Sequence, residues 1–212
     1  LASIFSKEET TLLLAIGLIR KADEKFSSCI DLFSVDGLLI ATDHRYMLKS
    51  EDKLAEDPVM YIGMDSFGLV QTAPRLLADT VLDLCCGSGV QGLAAIRYSR
   101  RVVAVDVNPR AIRFSRFNAQ LNGIDGYEVL EGNLYEAVEG QNFDCILANP
   151  PFVPSPTENL KFRDGGQTGE DILAEIVKGA SMYLKEDGRL SIVTDLVDIT
   201  RYEQKLLSWW GE

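Results

Sequence analysis

An α/β fold built on a mostly parallel sheet is what the 212-residue sequence predicts, and two observations predict it. From about residue 80 onward, short apolar runs alternate with helical patterns, and such alternation gives a parallel sheet covered on both faces. The helix boundaries carry matching cap chemistry. Asn108 followed by Pro109 is an N-cap with proline at the first helical position, and Gly123 closes the same helix. Thr168 with Asp171, and Thr200 with Glu203, have capping-box spacing at the starts of two more helices.

In chain order, residues 1–62 read as a small helical and β domain of winged-helix type. "SKEETTLLLAIGLIRKADEKF" predicts one amphipathic helix opened by a Ser6–Glu9 capping box, followed by short strands at "GLLIATD", "RYMLKS" and "PVMYIG". Residues 63–79, containing "DSFGLVQTAPRLLAD", predict a linking helix that Asp65 and Ser66 cap. Residues 80–212 then supply the strands "TVLDLCC", "RVVAVDV", "YEVLEG", "FDCILANP" and "RLSIVTDL". Helices "QGLAAIRYSR", "PRAIRFSRFNAQLN" and "ILAEIVKGASMYL" separate them.

Composition narrows the function. With 46% hydrophobic and 25% charged residues and no apolar run near the ~20 needed to span a bilayer, a soluble globular protein without membrane association is expected. The opening "LASIFSKEET" lacks a basic and an apolar signal region, so a cytoplasmic location follows. Cysteines 29, 85, 86 and 145 form no C-x-x-C pair and suit a reduced compartment, and with His44 the only histidine no metal site is expected. A net charge of −11 works against nucleic-acid binding, which draws on Lys and Arg; the local clusters "RYSRR" and "NPRAIRFSRF" read as solvated helix faces.

Gly87, Gly89 and Gly92 stand in G-x-G-x-x-G spacing, and Asp106 follows Gly87 by nineteen residues. That spacing admits an NAD-dependent oxidoreductase. Asp83 argues for another adenosine ligand. A carboxylate four residues before the first glycine would repel a pyrophosphate but suits the sulfonium and ammonium groups of S-adenosylmethionine. Asp106 at the end of the second strand can accept both ribose hydroxyls of either cofactor.

"VLDLCCGSG", "VVAVDVNPRAI" and "FDCILANPPF" together resemble the first, second and fourth motifs of the class I S-adenosylmethionine-dependent methyltransferases. The likeness is to their small-domain branch, which includes release-factor glutamine methyltransferases and ribosomal RNA base methyltransferases, and covers about residues 62–196. "DGGQTG" resembles a glycine-rich segment after the fourth motif of the glutamine enzymes. The resemblance implies a Rossmann-like sheet of order 3-2-1-4-5 with S-adenosyl-L-methionine as cofactor. It places Asp83, Cys85, Gly87, Ser88, Gly89, Asp106, Val107, Asn133, Leu134 and Asn149 against that cofactor. Val107 would border the adenine and Asn133 reach its amine, although Asn133 is equally placed to cap a helix over "LYEAVEG"; Asp65 and Ser66 either cap the linking helix, the favoured role, or reach the amino-acid end of the cofactor. Because the pattern yields five strands where the family has seven, and begins with Leu, a truncated chain is expected whose open sheet edge a partner chain could cover.

The resemblance assigns catalysis to Asn149, Pro150, Pro151 and Phe152. The nitrogen of an amide or aromatic amine shares its lone pair with a π-system. If the Asn149 side-chain oxygen and the Pro150 carbonyl accept its two N–H groups, the lone pair is aimed at the methyl carbon. Two prolines hold this backbone extended, and Phe152 offers an apolar face to the planar acceptor. The acceptor implied is a protein glutamine ahead of an RNA or DNA base, the acidic charge and "DGGQTG" favouring protein; a non-catalytic module that keeps the fold is the remaining alternative. The loop "VPSPTENLKFRDGGQTG" is expected to form part of the acceptor pocket or a lid.

Overall fold

The computed structural model describes residues 4–44, 58–75, 77–155, 164–166, 168–195 and 199–210. Five parallel strands form the sheet: β5 (Ala78–Leu84), β6 (Ser99–Asp106), β7 (Tyr127–Glu131), β8 (Phe143–Ala148) and β9 (Leu184–Ile192), in the order β7-β6-β5-β8-β9. This is the expected 3-2-1-4-5 arrangement. The middle strands are near-continuous apolar runs because helices cover both faces; Val102, Val103, Ala104 and Val105 are all fully buried. Strand order reverses between β5 and β8, so their carboxyl ends flank a crevice.

The helices are α1 (Lys7–Ala15), α2 (Met64–Thr72), α3 (Val90–Ala95), α4 (Pro109–Leu121), α5 (Asp171–Tyr183) and α6 (Ile199–Trp209). Asn108 caps α4 as expected, its side-chain oxygen accepting from the Arg110 N–H at 2.8 Å. The other two capping boxes do not form. Helix α5 starts after Glu170 with no side-chain cap, Thr168 lying two residues too early, and Thr200 lies inside α6. Among the described residues no helix is long and apolar enough to cross a membrane.

The N-terminal part departs most from expectation. The Ser6–Glu9 capping box forms, but α1 ends at Ala15 because Gly17 turns to φ 76°. The rest of the predicted helix is a hairpin, β1 (Ile19–Ala22) and β2 (Lys25–Ser28), turned at Asp23 with φ 53°. A second hairpin joins β3 (Ile30–Val35) to β4 (Leu38–Asp43) through Asp36 and Gly37, both at positive φ, the backbone that an Asp-Gly pair favours. Residues 4–44 are therefore one helix and two hairpins, not a winged helix. Residues 58–63 form no strand, and "RYMLKS" lies outside the described residues.

Two asparagines four apart, Asn118 on α4 and Asn122 at its C-cap, take the place of a neighbouring strand for β4. Asn118 accepts from the Ala41 N–H at 2.8 Å and donates to the Ala41 and Ser88 carbonyls at 2.9 Å; Asn122 makes the same pair of bonds to Leu39. The hairpin's Val35, Leu38 and Ile40 share a core with Ile62, Val70, Val90, Leu93, Ala94 and Ala119. Asn118 is fully buried, so Asn118→Ala orphans three backbone groups and should cost about 2–4 kcal/mol in urea unfolding. Asn122→Ala, at a partly exposed site, should cost less than about 1 kcal/mol.

Candidate active site

A cavity of about 720 Å³ opens at the carboxyl ends of β5, β6 and β8, a volume in the usual range for small-molecule sites. Its floor is the turn after β5, where Cys85, Gly87 and Gly89 have φ of 55°, 54° and 83°. Of the expected contacts, Cys85, Gly87, Ser88, Asp106, Val107, Asn133, Leu134 and Asn149 line it, as do Pro150, Pro151 and Phe152. Burial pushes the Cys85 and Cys86 thiols well above their ordinary range, so both are neutral.

Asp83 does not line the cavity, contrary to the direct seat for a cation that the sequence suggested. Side chains alternate along a strand: Leu82 and Leu84 enter the core under α5, which turns Asp83 to the other face, beneath α3. There its carboxylate accepts the Gly92 N–H at 2.8 Å. A Cβ on Gly92 would stand 2.9 Å from both Asp83 and Tyr127, so only glycine lets α3 come this close. Gly89, also not a lining residue, backs onto Ser115 and Tyr127.

Burial raises the Asp83 carboxyl to about 7; the Gly92 N–H opposes the shift and Asp106 adds to it. An unfolded aspartate titrates near 4, so the folded protein holds this proton more tightly. The stability linked to it is complete below pH ~4 and is lost as the pH rises to ~7, on the order of 4 kcal/mol. Asp83→Asn should flatten that part of the pH profile in denaturant melts; an unchanged slope would contradict the buried titration.

Asp106, at the end of β6, orders the turn as well as facing the cavity. One of its carboxylate oxygens accepts the Gly87 N–H at 2.8 Å and the other the Asn108 N–H at 2.9 Å. The Val107 N–H bonds the same carboxylate, and the acceptor capacity that remains is available to a ligand hydroxyl. Burial raises this carboxyl too. Asn133 is exposed at the rim and caps nothing: the short 3-10 turn Glu136–Val138 starts from Tyr135 without a side-chain cap.

Asn149 follows β8 directly. Its amide nitrogen donates to the Asp65 carboxylate at 3.0 Å and to the Ser66 hydroxyl at 3.2 Å. A carboxylate can only accept, so the NH2 must face Asp65 and the Asn149 oxygen must face the other way. Asp65 and Ser66 are not helix caps as expected. Gly63 occupies the N-cap of α2, and the two side chains reach Asn149 instead.

Gly165, Gly166 and Gly169 of "DGGQTG" lie against "NPPF" and the residues just after it. The Gly165 N–H donates to the Val153 carbonyl, and the Ser155 N–H to the Gly166 carbonyl, both at 2.9 Å. A Cβ on Gly165 would come within 2.6 Å of the Pro151 oxygen, and one on Gly169 would collide with the Phe152 oxygen. The glycines let two backbones touch, bracing the motif. Residues 156–163 and 167, most of the expected lid, lie outside the described residues.

Two parts of the wall were missed. Residues 58–62 line the cavity, held where the Val59 N–H meets Asp43 at 2.8 Å; Arg110 ion-pairs with the same carboxylate. Gln91 also lines it. A lone glutamine and an irregular segment carry no periodic signal by which sequence could find them.

The chain matches the methyltransferase small domain over residues 64–210. A Methanocaldococcus jannaschii protein described provisionally as a protein N5-glutamine methyltransferase is 33% identical over 137 residues, 61% of this chain and 68% of that protein. Ribosomal RNA small subunit methyltransferase C of Escherichia coli is 38% identical over 117 residues, 54% of this chain but 31% of the relative. The solved T. thermophilus 16S rRNA N2 methyltransferase, in complex with AdoMet and guanosine, shares the fold with a TM-score of 0.62 at 20% identity, covering 96% of this chain and 56% of that one. With that match and this cavity, the chain belongs to the methyltransferase small-domain family of S-adenosylmethionine-dependent enzymes.

Proposed function

We propose that this protein methylates a planar conjugated nitrogen, and that the acceptor is a protein glutamine amide. The observation that carries the reading is the orientation of Asn149: Asp65 and Ser66 hold its NH2, which leaves its oxygen as a fixed acceptor at the mouth of the crevice. That oxygen and the Pro150 carbonyl would take the two N–H groups of the acceptor, orienting its lone pair and stabilising the positive charge that develops on nitrogen. Phe152 would pack on the acceptor's flat face.

The cavity's own groups fit S-adenosylmethionine. Asp106 retains acceptor capacity for ribose hydroxyls, Val107 and Leu134 supply apolar surface for adenine, and Asn133 stands at the rim. The cofactor supplies an electrophilic methyl group. The residues described here position the acceptor and need no covalent nucleophile.

Protein is favoured over nucleic acid because the chain is acidic and several arginines of its two clusters are ion-paired. Arg97 pairs with Asp36 at 3.1 Å, Arg101 with Glu128 at 2.6 Å, and Arg110 with Asp43. Such pairs reduce the charge available to displace counterions from phosphates. The second reading, an RNA or DNA base amine, draws on the ribosomal RNA relatives, one of which shares its fold with 96% of this chain. Methyl-labelled S-adenosylmethionine with a cell extract separates them. Label removed by protease and resistant to ribonuclease is expected, and the reverse would favour the base.

A further inference from the structure

Gln91 is the second residue of α3, 4% exposed, and lines the cavity. Its Nε2 is the one buried side-chain nitrogen or oxygen with no hydrogen-bond partner among the described residues. Buried polar groups are nearly always paired, so an unpartnered amide NH2, itself closed to solvent, on a side chain that lines a binding cavity calls for a ligand acceptor.

The chemistry of the amide selects the ligand group. Nε2 is a donor at the positive end of the amide dipole, so it disfavours the ammonium and sulfonium of S-adenosylmethionine and attracts its oxygens. The preceding Val90 packs with Ile62 and Val70, which sets the first turn of α3 at the end of the cavity that α2 closes, with Asp65 and Ser66. Asp106 and Asn133 belong to the opposite side, after β6 and β7. The strongest acceptor on the cofactor, and the one remote from its adenosine, is the carboxylate of its amino-acid end.

We infer that the Gln91 side chain donates from Nε2 to the cofactor carboxylate, which makes Gln91 a cofactor-binding residue. The inference rests on the cavity's holding S-adenosylmethionine and is independent of whether the acceptor is an amide or a base. The free protein bears an unsatisfied donor that the bound state completes.

Calorimetry with two ligands tests this. S-adenosylhomocysteine carries the amino-acid group, whereas 5′-methylthioadenosine has the same adenosine and thioether without it. Gln91→Met should weaken S-adenosylhomocysteine about tenfold or more and leave 5′-methylthioadenosine within twofold; Gln91→Glu, setting like charges together, should weaken only the former, and further. Thermal melts of free Gln91→Met should match or exceed wild type, since the orphan donor is gone. Equal losses on both ligands, no loss on either, or a less stable free variant would each overturn the inference. Wild-type protein binding neither compound would overturn it by removing the cofactor assignment, a result distinguishable from a failure at Gln91.

Discussion

Asn149→Ala should lower kcat for methyl transfer by about 10³-fold or more while leaving S-adenosylhomocysteine affinity within about threefold. The asymmetry follows from what the side chain touches. Its NH2 is committed to Asp65 and Ser66, and its oxygen is the group left to orient an acceptor nitrogen. Removing the oxygen frees that nitrogen to rotate, and its lone pair stays delocalised. Steady-state rates and calorimetry on the same preparation check this. A variant retaining a tenth of wild-type kcat would contradict the lone-pair argument.

Asp65→Ala should be the next most damaging substitution, at about 10²-fold in kcat. Asp65 is a positioning residue, 84 residues from Asn149 in sequence, that decides which end of the Asn149 amide points into the crevice. Without it the amide can rotate and present NH2 to an acceptor that also carries N–H groups. Asp65→Asn can still offer an oxygen to the Asn149 NH2, so it should restore most of the rate. A merely structural role at the start of α2 would lower the melting temperature in both variants and show no such rescue.

The sheet was legible because its strands are apolar runs separated by helical patterns, and a single order of crossovers places the glycine turn beside "NPPF". The N-terminal helix was overextended because apolar residues continue past Gly17 at spacings that fit helix and hairpin alike. The strand at Ile30–Val35 was missed because only Val35 is buried and two of its six residues are exposed, so its alternation is weak. In the site, the residue types were legible and their partners were not. Asp83 was visible as an acid before a glycine turn, yet the alternation with Leu82 and Leu84 was needed to see that it faces α3. The pairing of Asp65 with Asn149 depends on how α2 meets the end of β8, which no local pattern encodes.

On the proposed function, Asn149 is locked with its oxygen toward the acceptor, beside a cofactor seated on the turn after β5. A crystal structure with S-adenosylhomocysteine bound tests it most directly. The cofactor sulfur should lie between the "CCGSG" turn and "NPPF", with the Asn149 nitrogen still on Asp65 and Ser66. Cofactor bound elsewhere, or Asn149 swung off Asp65 to bind it, would rule out this role for Asn149.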